Sequence, residues 1–297
     1  AVVEVSSFQM EHTSLFAPEV AVLLNVQPDH LDRHGTHGAY RALKERLFAR
    51  QPPQAAAILP AGHEACHGPV ATAARKQTFG AGPGADWRYA AGAVTGPGGW
   101  RVGLDGSWFD NPVLGLAAAA ACAALAACGL EAPTVAAGLR AFAPLPHRMQ
   151  TVAERDGVRF IDDSKATSLA ATGAALRMAG RPVRLIAGGR LKERDLGVIK
   201  ELLTKHVRKG YLIGECACQM RDAWREAIPC EVCETIDRAV ARAAGEAVAG
   251  EAVLLSPGTA SFDQFRSYHE RGERFAQAAR QVAVNAARTA SRTEDMR

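Results

Sequence analysis

The sequence predicts an α/β protein of two domains. Its 297 residues are enough for two domains of ordinary size, and 48% of them are hydrophobic against 22% charged, as in globular proteins generally. Short apolar runs alternate with segments of helical spacing along most of the chain. Such alternation produces parallel sheets covered by helices, and ligands bind at the carboxyl ends of the strands. Several polar motifs follow predicted strands, so we expect the functional site there.

The first half is predicted to contain strands, helices and a hairpin region. The apolar runs of strand length are Ala1–Val5, Val20–Val26 and Ala55–Leu59. Helical spacing covers Ala39–Arg50, Leu116–Cys128 and Thr134–Phe142. The segment from Gly80 to Asp110 is rich in glycine and aromatic residues and contains turn pairs, which predicts β-hairpins.

A proline-containing stretch divides the chain. Pro144 and Pro146 fix the backbone and stop the preceding helix, so we place the domain boundary there, giving domains 1–146 and 147–297. The second domain alternates more regularly. Its predicted strands are Val158–Ile161, Leu185–Ala187, Tyr211–Ile213, Glu231–Glu234 and Ala252–Leu255, and its last helix runs from about Gln264 to Ala287.

Charge and cysteine content limit the function classes. The net charge of +4 comes from mixed rather than clustered charges, which suits anionic small substrates and gives no sign of nucleic-acid binding. The seven cysteines are scattered and odd in number, which argues against a disulfide framework and for a reducing compartment. We therefore expect a cytoplasmic protein.

Two features have alternative interpretations. Cys216, Cys218, Cys230 and Cys233 could form a zinc site, but a spacing of three in a strand puts Cys230 and Cys233 on opposite faces, which favours plain buried thiols. The uncharged apolar run Val113–Leu130 is long enough to raise a membrane-spanning hypothesis. Because most of it is alanine, a buried helix is the better interpretation, and we expect no membrane span.

The first candidate cluster combines Glu4, Asp29, His30 and Lys44. Glu4 is a carboxylate within an apolar run, which is costly unless a cation or hydrogen bonds compensate it. Asp29 and His30 follow a predicted strand end, where a metal or a phosphate could dock. A capped turn with a surface histidine explains the same residues. The three histidines and two aspartates between Asp29 and His37 could also hold a catalytic zinc, as in a metal hydrolase.

The second cluster follows the predicted strand Val158–Ile161. Thr167 or Ser168 can cap the next helix, whose N-terminal amides favour an anion, and Lys165 adds a positive charge beside them. Asp163 could accept a hydrogen bond from a ribose hydroxyl. A capped loop with a solvated lysine accounts for the cap but not for the whole set.

Two further turns follow later strands. Gly188 and Gly189 let the backbone approach a ligand closely, and Lys192 nearby could hold a carboxylate. Ser261, between the last strand and the last helix, is a candidate N-cap whose hydroxyl could also receive a carboxylate.

Five stretches, taken in order, resemble the Mur ligases, and among them the members that add D-glutamate. They are Glu4-Val5-Ser6-Ser7-Phe8-Gln9, Asn25-Val26-Gln27-Pro28-Asp29-His30-Leu31-Asp32, Leu145-Pro146-His147-Arg148, Asp163-Ser164-Lys165-Ala166-Thr167, and Ser256 to Phe265 continuing into Glu270-Arg271-Gly272. Each stretch is short, but the ordered set is specific and spans nearly the whole chain. The Ser-Ser-Phe-Gln and Ala-Ser-Phe-Asp-Gln-Phe elements resemble the D-glutamate-adding members rather than their siblings.

The resemblance implies a fold and a reaction. The α/β fold would be a partial central P-loop-type ATPase domain followed by a Rossmann-like C-terminal domain, in a monomer. With Mg²⁺ as cofactor, ATP would phosphorylate the terminal carboxylate of UDP-N-acetylmuramoyl-L-alanine, and the amine of D-glutamate would attack the acyl phosphate to form an amide. A non-catalytic binding derivative and a sibling ligase are the alternative functions.

The same resemblance implies roles for individual residues. Glu4, His30 and Lys44 match Mg²⁺ ligands, with Lys44 carbamylated by CO₂, which turns a cation into an anion that a hard metal accepts. These three and Lys165, a phosphate-side lysine, form the implied catalytic set. The positions that match nucleotide contacts are Arg148, Asp163 and Asn111. The positions around D-glutamate are Thr167, Lys192, Ser261 and Tyr268, and the muramoyl substrate should run along Ser6 and Gln9.

Two departures from the family pattern matter. The phosphate loop ending in Gly-Lys-Ser/Thr occurs nowhere in the 297 residues, and we expect it upstream of Ala1, so that this chain alone should not hydrolyse ATP. The family's Gly-x-His-Asn-x-x-Asn is replaced by the stretch from Asp110 to Ala117, which includes Asn111. The smaller changes are Asp162 and Ser168 where the family tends to have Asn, and Tyr268 where it tends to have Phe.

Overall fold

Two six-stranded sheets, one in each half of the chain, form the frame of the protein. The computed structural model describes residues 1–27, 29–192 and 195–294, apart from the side chains of Asp32 and of residues 285–294. The chain divides into two units, Ala1–Ala143 and Pro144–Arg297. The units thus meet between 143 and 144, three residues before the boundary that the prolines predicted, between 146 and 147.

The sheet of the first unit has its strands in sequence order. They are β1 (Val20–Val22), β2 (Ala56–Pro60), β3 (Arg75–Gly80), β4 (Trp87–Ala90), β5 (Ala93–Thr95) and β6 (Arg101–Gly103). Strands β1 to β4 pair in parallel, whereas β4, β5 and β6 pair antiparallel. The hairpins predicted between Gly80 and Asp110 are therefore confirmed. Ala91 and Gly92, both with positive φ, form the tight turn between β4 and β5.

Helices cover both faces of this sheet. They are α1 (Ser7–His12), α2 (Leu31–His34), α3 (His37–Glu45), α4 (His63–His67), α5 (Leu114–Ala127) and α6 (Ala132–Ala141), with 3-10 turns at Arg46–Phe48 and Pro97–Gly99. Helices α5 and α6 share one core with the inner residues of β2 to β6, and Tyr40 and Phe48 belong to the core on the other side. The alanine-rich helix α5 lies against the sheet, with Gly115 directly on the Tyr89 ring. Nowhere in the described chain is a helix both long and apolar enough to cross a membrane.

Two strand predictions for the first unit need correction. The apolar run Ala1–Val5 forms no strand, and Val2 and Val3 are 101% and 63% exposed. A strand needs a neighbour for its backbone hydrogen bonds, and β1 pairs with β2 only. The run Val20–Val26 yields a strand of only three residues, Val20–Val22. The Leu23 amide still donates to the Ile58 carbonyl of β2, and the chain leaves the sheet after it.

The second unit contains a doubly wound sheet with the strand order β11-β10-β9-β12-β8-β7. The strands are β7 (Gln150–Arg155), β8 (Val158–Asp162), β9 (Val183–Gly188), β10 (Val207–Ile213), β11 (Cys230–Glu234) and β12 (Ala252–Leu255). Strands β8 to β12 pair in parallel, and β7 pairs antiparallel with β8 at the edge. The five predicted strands are confirmed, whereas β7 was not anticipated because its residues are mostly polar.

Two layers of helices enclose this sheet. They are α7 (Leu169–Met178), α8 (Lys200–His206), α9 (Ala217–Trp224), α10 (Ile236–Glu246) and α11 (Tyr268–Glu294), with a 3-10 turn at Leu196–Ile199. Residues of α7, α8 and α9 share one hydrophobic core, and residues of α10 and α11 share the other. The chain thus changes face between β11 and β12. The loops at the carboxyl ends of β8, β9 and β12 meet at one edge of the sheet, where ligands bind in such folds.

The start of the last helix differs from the prediction. Helix α11 begins at Tyr268, and Ser267 caps it by accepting a hydrogen bond from the Glu270 amide at 3.2 Å. The Glu270 carboxylate in turn accepts from the Arg266 amide at 2.7 Å. Ser261 is therefore not the N-cap, because the helix begins seven residues later and Ser267 accepts from one of the amides of its first turn.

Candidate active site

Two consecutive carboxylates stand at the carboxyl end of β8. Asp162 is fully buried, and its Oδ1 accepts a hydrogen bond from the Ser164 amide at 2.9 Å. Asp163 is 8% exposed and accepts from the Met149 amide at 3.2 Å and from the Ser256 hydroxyl at 2.9 Å. Asp163 therefore ties the loop after β8 to the segment before β7 and to the loop after β12.

The ionisation of Asp163 is shifted by its surroundings. Burial raises the pKa of the Asp163 carboxyl from 3.8 to about 7, although the hydrogen bonds from Ser256 and Met149 and the positive charge of Arg148 oppose the shift. Asp163 and Arg148, both predicted nucleotide contacts, are thus close enough to interact. Arg148 itself is exposed.

His147 belongs to the same cluster. Its Nδ1 lies 2.7 Å from Asp162 Oδ2, and its backbone carbonyl accepts a hydrogen bond from the Lys165 amide at 3.1 Å. The imidazole contacts His269 with its ring edge, at a centroid distance of 5.2 Å. Sequence reasoning assigned no role to His147 or Asp162. They lie 15 positions apart in the sequence, so the signal available was only the carboxylate pair at a strand end.

Arg271 joins the loops from inside. Its side chain is 1% exposed and donates hydrogen bonds to the Ser164 hydroxyl and carbonyl and to the Thr259 carbonyl, at 2.9 to 3.2 Å. Burial lowers the pKa of Arg271 from 12.5 to about 10, although the charges of Asp263 and Asp162 oppose this. Arg271 was missed as a functional candidate, and the available signal was its place in the Glu-Arg-Gly stretch.

Lys165 and Tyr268 are brought into contact. The Lys165 ammonium lies over the Tyr268 ring, 4.1 Å from its centre. The Tyr268 carbonyl accepts a hydrogen bond from the Ser164 hydroxyl at 2.8 Å, which fixes the start of α11 against the loop after β8. Ser168 caps α7 through its hydroxyl and the Ala171 amide, as predicted, and half-buried Thr167 precedes it.

The other two predicted D-glutamate positions lie in paired loops. Arg190 and Ala260 exchange backbone hydrogen bonds of 2.9 and 3.0 Å, which join the loop that carries Lys192 to the loop that carries Ser261. Lys192 is exposed, and Ser261 is buried. The backbone can pass this closely because Gly189 has no side chain: a Cβ there would lie 2.3 Å from the Ala260 carbonyl oxygen.

Ser6 and Gln9 form a capping box at the start of α1. The Gln9 amide donates to Ser6 Oγ at 3.2 Å, and the Ser6 amide donates to Gln9 Oε1 at 2.8 Å. This local structure gives both residues a structural role. Their contact with a muramoyl substrate stays a prediction.

The predicted metal residues of the first unit are distributed over three segments. Glu4 is exposed in the segment before α1, His30 has φ 53 and precedes α2, and Lys44 lies on α3 with its ammonium 5.1 Å from the centre of the Tyr40 ring. Phe8 packs edge-on against His30 at a centroid distance of 5.0 Å. A trio that includes a lysine is expected to become a metal site only after carbamylation, so this assignment stays a prediction.

The zinc hypotheses find no preformed site. Among the side chains that the structure describes, which do not include that of Asp32, no group of three or more His, Cys, Asp or Glu is placed to hold a metal ion. In the histidine-rich loop, His34 contacts Ser7 at 3.1 Å and Glu11 at 3.4 Å, whereas His37 packs towards His67. The cysteines Cys216, Cys218, Cys230 and Cys233 are free thiols.

Asn111 caps α5. Its Oδ1 accepts hydrogen bonds from the Val113 and Leu114 amides at 3.2 and 2.9 Å, and its Nδ2 donates to the Trp108 carbonyl at 3.1 Å. Both ends of the side-chain amide are therefore engaged within the first unit. A contact between Asn111 and adenine stays a prediction, and these three hydrogen bonds alone explain an asparagine here.

Comparison with known proteins gives a consistent result in both units. The sequence profile of the Mur ligase middle domain matches residues 1–100, and that of the Mur ligase glutamate ligase domain matches residues 147–259. The chain is 41% identical over 298 aligned residues to a UDP-N-acetylmuramoylalanine–D-glutamate ligase of Cereibacter sphaeroides, covering 92% of this chain and 62% of that protein. It is 36% identical to the protein of the same name from Nitratidesulfovibrio vulgaris, covering 95% and 61%. The chain thus spans about three fifths of these relatives.

Solved structures support the fold. The MurF ligase of Thermotoga maritima, in complex with ADP, aligns with a TM-score of 0.69 at 19% identity, covering 95% of this chain and 66% of that one. The UDP-N-acetylmuramate–alanine ligase MurC of the same organism aligns with a TM-score of 0.64 at 14% identity, covering 93% and 62%. With the two profiles matching well over half of the residues, the chain belongs to the Mur ligase family.

Proposed function

We propose that the protein is an ATP-dependent amide ligase that adds D-glutamate to UDP-N-acetylmuramoyl-L-alanine in peptidoglycan precursor synthesis. The observation that carries the proposal is the convergence of Lys165, Tyr268 and the Asp162–Asp163 pair at the carboxyl edge of the second sheet. Relatives that carry the name of this ligase, at 36% and 41% identity, support the choice of substrates.

The proposed reaction has two steps. The terminal carboxylate of UDP-N-acetylmuramoyl-L-alanine attacks the γ-phosphorus of ATP and forms an acyl phosphate, releasing ADP. The amine of D-glutamate then attacks the acyl carbon, loses its proton, and expels inorganic phosphate to leave an amide. Phosphoryl transfer depends on positioning and charge neutralisation, so a cation such as Lys165 beside the reacting groups is the expected contribution of this edge.

The chain's own residues fit these tasks. Lys165 can neutralise an anionic oxygen while the Tyr268 ring limits its motion. Arg148 is exposed and free to reach a nucleotide. The two oxygens of Asp163 already accept one hydrogen bond each, and each carboxylate oxygen has capacity for a further donor such as a ribose hydroxyl.

Two of the three donors proposed in the first unit, the Glu4 carboxylate and a carbamate on Lys44, offer the oxygen atoms that a hard divalent cation prefers. Glu4 supplies an exposed carboxylate, His30 an imidazole, and Lys44 an amine that CO₂ can convert to a carbamate. We propose that these residues hold Mg²⁺, which when bound neutralises phosphate charge. The seven cysteines are all free, which supports our proposal of a reducing, cytoplasmic setting.

A phosphate-release assay tests the proposal. The full-length gene product is supplied with ATP and UDP-N-acetylmuramoyl-L-alanine, and D-glutamate, L-glutamate, L-alanine and L-lysine are added in turn. We expect phosphate release with D-glutamate only. Turnover with another amino acid instead would identify a sibling ligase, and substrate binding without turnover would identify a non-catalytic derivative.

A matched pair of variants ties the activity to the site. Lys165→Met removes the cation at similar length and should lower kcat by at least about a hundredfold, in line with the loss of an electrostatic contact to reacting groups. Lys200→Met changes a lysine of α8 whose side chain is 41% exposed, and it should leave kcat unchanged. Equal activity of both variants would remove Lys165 from the site.

A further inference from the structure

We propose that His147 is a positioning residue for Arg148. Asp162 holds His147 and Asp163 holds Met149. We call these two contacts, one on each side of Arg148, the clamp. The proposal rests on the proposed function for one point only, namely that Arg148 contacts the nucleotide. The clamp itself consists of backbone angles and hydrogen bonds within the second unit.

The backbone on both sides of Arg148 is in the left-handed region. His147 has φ 62 and Met149 has φ 48, and neither is a glycine. L-residues avoid this region because the side chain crowds the backbone, so two such residues in three positions persist only where other contacts impose the conformation. Strain of this kind is expected where a side chain must be aimed.

The contacts that impose it come from the carboxylate pair. Asp162 Oδ2 lies 2.7 Å from Nδ1 of His147, and Asp163 Oδ1 accepts from the Met149 amide at 3.2 Å. Each strained residue is therefore held by one of two consecutive aspartates. The Gln150 side chain adds a third bond by accepting from the His147 amide at 3.2 Å.

The clamp is anchored to the rest of the edge. Asp163 also accepts from the Ser256 hydroxyl, and the His147 carbonyl accepts from the Lys165 amide. A displacement of His147 would consequently disturb the loop after β8 and the loop after β12. His147 is 8% exposed and Asp162 is fully buried, so neither is placed to touch a substrate directly.

Space for the clamp depends on Gly272. A Cβ at this position of α11 would lie 2.2 Å from His147 Nδ1 and 2.7 Å from Asp162 Oδ2. Both distances are shorter than van der Waals contact allows, so a larger residue here would force the His147–Asp162 pair apart. Contact between His147 and Asp162 therefore requires a glycine at position 272, in the Glu270-Arg271-Gly272 stretch.

Arg148 is the residue left between the two held positions. It is exposed, yet its charge reaches Asp163. Its backbone is fixed on both sides, whereas its side chain is exposed to solvent. This is the arrangement expected of a cation aimed at an anionic ligand, because less freedom is lost when the ligand binds.

A double-mutant cycle separates positioning from general stability. The full-length protein is prepared as His147→Ala, Arg148→Ala and the double variant, and KM for ATP and kcat are measured for each. We expect His147→Ala to raise KM for ATP by about tenfold, as for one lost hydrogen bond to a charged group, with kcat changed by less than about twofold. In the Arg148→Ala background, His147→Ala should raise KM no further. The same rise in both backgrounds would overturn the proposal.

The conservative variant supplies the rescue. Asparagine tolerates the left-handed region and carries a side-chain N–H that can reach Asp162, so His147→Asn should keep KM for ATP within about twofold of the parent. It also keeps the test usable if His147→Ala does not fold. A tenfold rise in His147→Asn, with an unchanged crystallographic position of Arg148, would overturn the clamp.

The outcome for Arg148→Ala alone distinguishes the two proposals. If this variant leaves KM for ATP unchanged, the proposed nucleotide contact fails. The clamp is then decided by the crystal structure of His147→Ala: a shift of the Arg148 backbone out of its present conformation supports it, and an unchanged backbone at 147–149 contradicts it.

Discussion

The Lys165 ammonium lies 4.1 Å from the centre of the Tyr268 ring, which joins the loop after β8 to the first residue of α11. The contact is attractive because the ring face carries partial negative charge. It connects two residues that the family pattern assigns to different sides of the reaction, the phosphate side and the D-glutamate side. The ring is therefore expected to hold the lysine in place.

Substitutions at Tyr268 test this contact. Tyr268→Phe keeps the ring face and should leave KM for D-glutamate within about twofold, whereas Tyr268→Leu should raise it by about fivefold, as for the loss of a cation–π contact of about 1 kcal/mol. The measurement is initial-rate kinetics at saturating ATP. If the leucine and phenylalanine variants have equal KM values, the ring face plays no part.

The buried carboxyl of Asp163 predicts a dependence of stability on pH. Its pKa of about 7 in the folded protein exceeds its ordinary value of 3.8, so the folded state binds the proton more tightly than the unfolded state does. The contribution of Asp163 to stability is fully present below pH 3.8 and is lost as the pH rises to about 7.

Asp163→Asn tests this sign. Urea unfolding between pH 5 and pH 8 should show a smaller fall in the free energy of unfolding for the variant than for the parent, because asparagine does not ionise. Asp222, an exposed aspartate of α9, provides the control: Asp222→Asn should follow the parent. An unchanged pH dependence in Asp163→Asn would show that Asp163 ionises as an ordinary carboxyl.

Arg271 is predicted to be important for the stability of the second unit. Arg271→Met removes all the hydrogen bonds to Ser164 and Thr259 and leaves buried acceptors without donors, so it should lower the free energy of unfolding by about 3 kcal/mol. Arg274, three residues after Arg271, forms an exposed ion pair with Asp237. Arg274→Met should therefore change the free energy of unfolding by less than about 1 kcal/mol. Similar losses in chemical denaturation would contradict the buried role.

Two glycines in helices of the first unit predict opposite effects of alanine. At Gly115 a Cβ would lie 2.4 Å from the Tyr89 ring, so Gly115→Ala should destabilise by about 1–3 kcal/mol. At exposed Gly138 a Cβ would meet nothing within 4 Å, so Gly138→Ala should stabilise by up to about 1 kcal/mol. Thermal unfolding of both variants measures the difference, and a stabilised Gly115→Ala would refute the packing of α5 on β4.

Sequence patterns were sufficient for the fold class and for most elements. Apolar runs bounded by turn residues identified β2, β8 and β12 to within a residue, because burial on both faces leaves a strong signal. Strand β7 escaped because an edge strand exposes much of its surface and reads as polar. The run Ala1–Val5 has the composition of a strand, but pairing depends on neighbours that composition does not reveal.

The candidate site was only partly visible in the sequence. Asp163 and Lys165 were recognised because they follow a strand, and Arg148 and Tyr268 because of the family resemblance. The contacts among these residues depend on the order of strands in the sheet. His147 meets Asp162 at a sequence separation of 15, and Arg271 reaches Ser164 at a separation of 107. A local structural role can also explain a polar residue that the sequence suggests for ligand binding. Ser6, Gln9 and Asn111 each have hydrogen-bond partners at the start of a helix.

The mass of the product is the most direct test of the proposed addition of D-glutamate. The full-length protein is incubated with ATP, Mg²⁺, UDP-N-acetylmuramoyl-L-alanine and D-glutamate, and the UDP-containing products are analysed by mass spectrometry. We expect a species heavier than the substrate by one glutamyl residue, formed with D-glutamate and absent when L-glutamate replaces it. Unchanged UDP-N-acetylmuramoyl-L-alanine in the presence of a fully folded enzyme and D-glutamate would contradict it.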